Sequence, residues 1–434
     1  MMSERLIIRG GRPLTGEIKV CGSKNAATKM MVASLLTAEP CTIENIPLSQ
    51  DIAITRELCE RVGSRVKTGD DHTYTLETPE ISRTSVTELS RRNRIPILTM
   101  GPLLARRGEA EVPFLGGDPI GHRPIDFHLS ALAKMGVRIE RREQSYYATA
   151  DRIRGARIDL PFPSVGATEN VILAAVRAEG TTHLSNAAVE PEIAGLIEML
   201  TAMGADIYFN PAERHIKITG VQRLRGVRRR VIPDRIEAVS FASAALATDG
   251  NILLRGASAE HLGRFIETVR AMGGGVEIRD DGIRFCGTPA YRPVIVEAAP
   301  HPGFLTDWQP PTAVLLTRGQ GTSIIHETVH EDRLGYAKEL RRMGADITVS
   351  DECLGTPACR FSGRTFNHSA RIRGPVRLRG AEIVITDIRA GMAHIIAALA
   401  AEGESIISGV EHIDRGYERS DERLRELGAD IRRV

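Results

Sequence analysis

The sequence predicts an α/β protein of two domains, each built from three copies of one unit. Three observations carry this reading: a short phrase that recurs six times, Ala/Leu-rich helices that are apolar on most sides, and a length of 434 residues. That length exceeds what one hydrophobic core usually holds.

The phrase is an apolar residue, two mostly polar ones, an apolar residue, then Gly and a strand. It reads Cys59-Glu60-Arg61-Val62-Gly63, Leu132-Ala133-Lys134-Met135-Gly136 and Leu200-Thr201-Ala202-Met203-Gly204. It returns as Val269-Arg270-Ala271-Met272-Gly273, Leu340-Arg341-Arg342-Met343-Gly344 and Leu424-Arg425-Glu426-Leu427-Gly428. The spacing is roughly 70 residues, longer than the usual solenoid periods. A Gly in the left-handed region stops a helix, so each phrase predicts a helix C-terminus. Alternating residues follow, as in Ala205-Asp206-Ile207-Tyr208-Phe209, and predict a strand. Before each phrase an Ala/Leu-rich helix ends in a turn such as Glu179-Gly180, Asp249-Gly250 or Glu402-Gly403. Such helices belong between sheets. The charge, Gly and Pro gathered at Arg225 to Pro233 predict one inter-domain crossing, and Cys21-Gly22-Ser23 a second. Residues 1–22 plus 233–434 are then one domain and 23–232 the other, which carries the loop 114–124.

A formal net charge of +2 argues against nucleic-acid or membrane-surface binding. No apolar run approaches the ~18 residues of a membrane span. The six cysteines, at 21, 41, 59, 286, 353 and 359, form no CxxC pair, so neither a zinc knuckle nor a redox motif is expected. No signal peptide is recognised before Leu6-Ile7-Ile8, and a reducing cytoplasm is the expected home.

Candidate chemistry lies in irregular segments. Gly116-Gly117-Asp118-Pro119-Ile120-Gly121-His122-Arg123-Pro124 is a loop holding a carboxylate and a guanidinium. It reads as a cover over an anionic ligand, or as an exposed turn. Ser23 is a natural N-cap, with Lys24 and Asn25 in the first helical turn. A Lys there opposes the helix dipole unless an anion offsets it. Arg94 leads, after Arg91 and Arg92, toward a helix through Gly101-Pro102. Phe162 to Thr168, with Ser164, Val165 and Gly166, opens a helix with free amides, either a diphosphate cradle or an ordinary turn. Pro300 to Pro311 is a rigid segment whose one carboxylate, Asp307, is a candidate general base or an Asx-turn residue. His326-Glu327-Thr328-Val329-His330 spells HExxH, but β-branched neighbours predict strand and turn where zinc-protease chemistry needs a helix, so the match reads as chance. Arg389 and Arg415 are expected to open the last two helices, with anions or the neighbouring Asp387 and Asp414 as compensation.

Taken together, Gly22 to Ala27, Gly101-Pro102, Gly116 to His128, Ser164 to Thr168, Glu190 to Ile193, Pro233 to Glu237, His301 to Asp307 and His412 to Arg419 resemble the enolpyruvyl transferase family from the first strand to the last helix. The resemblance is to members that act on UDP-N-acetylglucosamine; the motifs of the sister enzymes acting on shikimate 3-phosphate are not seen. It implies two inside-out α/β domains, or prisms, of three repeats each, joined by a double hinge. It implies transfer of the enolpyruvyl group of phosphoenolpyruvate to the sugar 3′-hydroxyl with release of phosphate, by addition then elimination, without metal or cofactor, at the first committed step of peptidoglycan precursor synthesis. Lys24, Asn25, Arg123, Arg389 and Arg415 would hold phosphoenolpyruvate. Asn25, Arg94, Arg123, Pro124, Ile125, Asp126, Phe127, Ser164, Val165, Gly166, Asp307 and the Val329 backbone would hold the UDP-sugar. Asp307 would take the hydroxyl proton. In one respect the sequence departs from the family: Asp118 stands where the family usually carries the Cys that acts as acid at C3 of phosphoenolpyruvate and is alkylated by fosfomycin. An Asp can serve there if its pKa is raised; Arg123 would lower it, while burial and the substrate's charge would raise it.

Overall fold

The computed structural model describes residues 4–69, 72–88, 94–117, 124–355 and 358–434. Asp118 and Arg123, and the neighbours Arg91 and Arg92 of Arg94, lie outside these. The chain divides into two compact units: one of residues up to 21 and from 233 onward, the other of residues 22–117 and 124–232.

The six glycine phrases all do what their composition dictates. Gly63, Gly136, Gly204, Gly273, Gly344 and Gly428 have φ between +86° and +118°. In each, the residue after the Gly donates its N–H to the carbonyl of the first residue of the phrase: Ser64 to Cys59, Val137 to Leu132, Ala205 to Leu200, Gly274 to Val269, Ala345 to Leu340 and Ala429 to Leu424, at 2.9–3.1 Å. This six-to-one bond closes the orphan carbonyls of a helix end and aims the chain back into a strand.

The regularity extends to the sheets, three in each unit. In five of the six, one parallel edge strand is followed by two antiparallel neighbours. Thr15–Lys19 lies parallel to Asn251–Arg255, which pairs with Gly282–Cys286 and then Gly275–Arg279. Ile295–Ala298, Gly321–Glu327, Ser369–Gly374 and Asp346–Ser350 repeat the order. In the sixth, Glu109–Pro113, Ser145–Thr149 and Arg138–Arg141 form the antiparallel part, and the parallel edge is reduced to one bridge from Ser85 to Glu111. The last repeat is completed by the start of the chain: Arg5–Arg9 pairs with both Glu404–Ser408 and Asp430–Arg433.

Inside each unit lie the Ala-rich helices. In the first, Arg235–Ala247, Gln309–Leu316 and Ile388–Ala400 pack on one another. Every residue of the first two is buried. In the second, Met100–Arg107 packs on Val165–Ala175, and Lys24–Ala33 packs between Gln50–Val62 and Pro191–Ala202. Small side chains allow these close approaches, and Ala also costs least in a helix. Among the described residues no helix is long and apolar enough to cross a membrane.

One core position carries a testable cost. Glu169, in the helix Val165–Ala175, is 2% exposed, with Lys29 Nζ at 3.7 Å. Burial, with Glu192 and Glu190 nearby, raises its carboxyl from the ordinary 4.5 to about 7, against the pull of Lys29. Between those two pH values the folded chain holds a proton the unfolded chain has lost. This carboxyl's contribution to stability therefore falls as pH rises through that window, by on the order of 3 kcal/mol, and is flat above it. Glu169→Gln is expected to remove this slope, so that denaturant midpoints of variant and parent diverge between pH 4.5 and about pH 7 in the variant's favour. Parallel curves would show that Glu169 is not the titrating group.

Candidate active site

Each unit gathers a separate group of the expected residues. In the first, the only Trp anchors the segment that carries Asp307. Trp308 is buried edge-on to Phe304, with ring centroids 5.4 Å apart, and its Nε1 donates to the Arg235 carbonyl at 3.2 Å. Asp307 sits on the single turn Thr306–Trp308 that leads into the helix Gln309–Leu316, whose second and third residues are Pro310 and Pro311. Proline suits the first turn of a helix, where its missing N–H has no partner to lose.

Two guanidiniums hold the Asp307 carboxylate. Arg333 Nη2 donates to Oδ1 at 3.1 Å, and Arg389 Nε donates to Oδ2 at 3.2 Å. The Arg333 side chain is 1% exposed and that of Arg389 7%, whereas Asp307 is 25% exposed. The two cations are thus more deeply buried than the carboxylate they hold. Arg333 also reaches Asp387 Oδ1 at 3.5 Å. Burial opposes the charge on Arg389, but Tyr417, Asp307 and Asp234 outweigh it and hold the guanidinium above its ordinary range. Burial likewise opposes the charge on Arg333, and Asp307, Asp387 and Glu327 outweigh it.

Two sequence expectations are corrected here. Asp387 does cap the helix Ile388–Ala400, accepting from the amides of Arg389 and Ala390 at 2.9 and 3.0 Å, but its ion pair is with Arg333, while Arg389 takes Asp307. Arg415 does not open a helix. It follows the short helix Glu411–Asp414 at its C-terminal end, where a cation agrees with the dipole. Asp414 pairs with Arg433, at 2.8 Å. Arg415 is itself 7% exposed, two residues before Tyr417, whose ring lies under the Arg389 guanidinium at 5.3 Å.

Val329 has its backbone engaged within the unit. Its N–H donates to Glu327 Oε1 at 2.6 Å, and its carbonyl accepts from Arg360 Nη2 at 2.9 Å. The HExxH stretch is the end of the strand Gly321–Glu327 and the turn after it, as its β-branched residues predicted.

In the second unit, Ser23 caps the helix Lys24–Ala33 through the Ala26 amide at 3.3 Å. The anion that the Lys24 position requires is present in the chain: Asp51 Oδ2 lies 3.1 Å from Nζ, both side chains largely buried. Asn25 is half-buried on the same turn. Ser164 caps the helix Val165–Ala175 through Ala167, at 3.4 Å. Its first turn rests on the helix Asp126–Lys134: a Cβ on Gly166 would come 3.0 Å from His128 Cε1, and His128 Nδ1 is 3.2 Å from Asn170 Nδ2. Burial, helped by the charge of Arg94, lowers His128 to about 3, so the imidazole is neutral. Arg94, the stretch Pro124 to His128 and Ser164 to Gly166 are therefore neighbours.

Sequence reading missed Arg333, Asp51 and His128. Arg333 carried the signal that singled out Arg389, a cation leading into a helical turn. Asp51 and His128 gave none, because an acid in a first turn and a buried His are ordinary.

The fold of two α/β units is shared with enolpyruvyl transferases. NikO of Streptomyces tendae, an enolpyruvyl transferase, superposes with a TM-score of 0.88 at 26% identity over 100% of this chain and 99% of that one. The profile of the family described as EPSP synthase (3-phosphoshikimate 1-carboxyvinyltransferase) matches residues 8–424. UDP-N-acetylglucosamine 1-carboxyvinyltransferase of Protochlamydia amoebophila is 46% identical over 98% of this chain and 93% of its own. The enzyme of the same name from Chlamydia pneumoniae is 47% identical over 96% and 92%. The chain belongs to this family of enolpyruvyl transferases, and it is an enzyme of that class.

Proposed function

We propose that the enzyme transfers the enolpyruvyl group of phosphoenolpyruvate to the 3′-hydroxyl of UDP-N-acetylglucosamine, releasing inorganic phosphate, in the cytoplasm and in supply of peptidoglycan precursors. The observation that carries this reading is Asp307, a carboxylate held by Arg333 and Arg389, both more deeply buried than it is, with 25% of its own side chain exposed. A clamped carboxylate is an acceptor with a fixed direction, which is what removal of a hydroxyl proton requires. Near-full-length identity to enzymes named for this acceptor supports UDP-N-acetylglucosamine over another nucleotide.

In the addition step the sugar oxygen bonds to C2 of phosphoenolpyruvate as Asp307 takes its proton, and Asp118 delivers a proton to C3. In the elimination step C3 loses a proton and the C2–O bond to phosphate breaks. Lys24, Asn25, Arg123, Arg389 and Arg415 hold the phosphoenolpyruvate anion and the departing phosphate. Arg94, Arg123, Pro124 to Phe127, Ser164 to Gly166, Asn25, Asp307 and the Val329 backbone hold the UDP-sugar. No step calls on a metal.

Phosphate release measured with phosphoenolpyruvate alone, and again with UDP-N-acetylglucosamine added, tests the proposal. Release is expected only with both. Release that ignores the sugar nucleotide, or that needs a different acceptor, overturns it.

A thiolate opens an epoxide far more readily than a carboxylate does. The enzyme is therefore expected to keep its activity after incubation with fosfomycin, with no mass adduct on the peptide containing Asp118. Asp118→Cys is expected to remain active and to be inactivated with a single adduct on the new thiol. An active variant that stays unmodified would remove residue 118 from the reacting centre.

A further inference from the structure

Four side chains of the first unit converge although their cysteines form no CxxC pair. His326, Cys353, Cys359 and His368 each offer one ligand atom, and all four atoms lie within 4.8 Å of one another. Cys353 Sγ is 3.6 Å from Cys359 Sγ and 3.7 Å from His326 Nε2. Zinc bonds of about 2.3 Å to sulfur and about 2.0–2.1 Å to nitrogen, set tetrahedrally, give an S···S edge of about 3.8 Å and an S···N edge of about 3.6 Å. The spacing is that of ligands around a tetrahedral ion.

The surrounding groups are arranged for the same purpose. His326 Nδ1 is 2.9 Å from Glu297 Oε2, its partner on the adjacent parallel strand. His368 Nδ1 is 2.7 Å from the Phe366 carbonyl. Each imidazole thus gives its Nδ1 proton outward and keeps the Nε2 lone pair for the cluster, the usual outer-shell arrangement of a metal-bound His. His368 is fully buried, and its Nε2 has no hydrogen-bond partner among the described residues. A buried nitrogen without a partner is costly, and a metal would satisfy it. Backbone amides point at both sulfurs, Cys359 N to Cys353 Sγ at 3.3 Å and Phe361 N to Cys359 Sγ at 3.4 Å, as thiolates require. Gly355 lets the chain pass over the site, since a Cβ there would fall 2.5 Å from His326 Cε1.

We propose that His326, Cys353, Cys359 and His368 bind one zinc-class divalent cation as a closed structural site. Four protein ligands leave no open position, which separates the site from zinc catalysis. Two thiolates neutralise the dication, which suits a half-buried place. Thiolate and imidazole together select zinc over magnesium or calcium. The ion ties the segment between the strands Asp346–Ser350 and Ser369–Gly374 to the end of the strand Gly321–Glu327. Strand alternation turns the next residue, Glu327, to the opposite face, where it accepts from Thr306 Oγ1 and Gln309 Nε2 at 2.7 Å each, on either side of Asp307. The expectation that the chain carries no metal is thereby replaced for this cluster, and His326 of the HExxH stretch acts with two cysteines and His368 in place of His330.

The test uses the full-length enzyme. Protein purified without chelator is expected to carry about one equivalent of zinc by elemental analysis, and Co(II) exchanged into it is expected to show the visible d–d and thiolate charge-transfer bands of a tetrahedral Cys2His2 site. Cys353→Ser or Cys359→Ser is expected to abolish both signals. Glu297→Gln, which touches no ligand sulfur and lies at an exposed position, is expected to fold and to bind zinc about 10–100-fold more weakly. Reduced protein that holds no zinc and gives no cobalt bands overturns the proposal. So does a disulfide between Cys353 and Cys359, seen as two titratable thiols fewer than the six in the sequence.

Discussion

Asp307→Asn is expected to lower kcat by roughly 10²–10⁴-fold, the span general-base removal usually costs. The amide keeps the shape of the side chain and can still accept from one guanidinium, but it cannot take a proton. Binding of UDP-N-acetylglucosamine is expected to change less than kcat, because Asp307 is only one of many residues that hold the UDP-sugar. Stability is expected to fall less than in Arg333→Met, since Asp307 is partly exposed and Arg333 and Arg389 keep Asp387, Asp234 and Tyr417 near them. Single-turnover phosphate release, together with a thermal melt, separates these effects. A kcat close to that of the parent would place the proton acceptor elsewhere.

Arg333→Met is expected to have the largest effect on stability. The guanidinium is buried and bridges Asp307 and Asp387, at 3.1 and 3.5 Å. Deleting one member of a buried ionic cluster leaves its partners uncompensated and costs about 3–5 kcal/mol. For a unit of this size that is a Tm drop of roughly 6–20 °C. Arg333→Lys keeps the charge but not the two-pronged reach, so it is expected to recover part of the Tm and less of the kcat. A melt of Arg333→Met that overlays the parent would mean the two carboxylates are satisfied without it. The two variants complement each other. Losing the carboxylate chiefly removes chemistry, whereas losing the cation that holds it removes the site's support.

The repeat was readable because its cause is local. A helix can be stopped and turned into a strand within five residues, and the left-handed position that does so favours Gly, so Gly63 and its five counterparts announced the six units directly. Ser23 was readable as a cap for the same reason, since an N-cap satisfies amides only two or three residues away. The cationic residues were found as anomalies against the helix dipole, and that reasoning had mixed success. Lys24 is offset by Asp51 within the chain. Arg389 has Asp307 as its partner, and Arg415 lies at a helix end that needs no offset.

By itself the sequence determined the class of fold, the six helix stops, the buried helices and the family, because each depends on neighbours a few residues apart or on a pattern spread over the whole chain. Only the tertiary structure decided which charge meets which. Arg333 finds Asp307 at a separation of 26 residues and Asp387 at 54. Cys353 finds His326 at a separation of 27. Ion pairs and ligand clusters act through space over a few ångströms, and where distant strands bring two side chains that close is set by sheet register and helix packing, which no short stretch of sequence encodes.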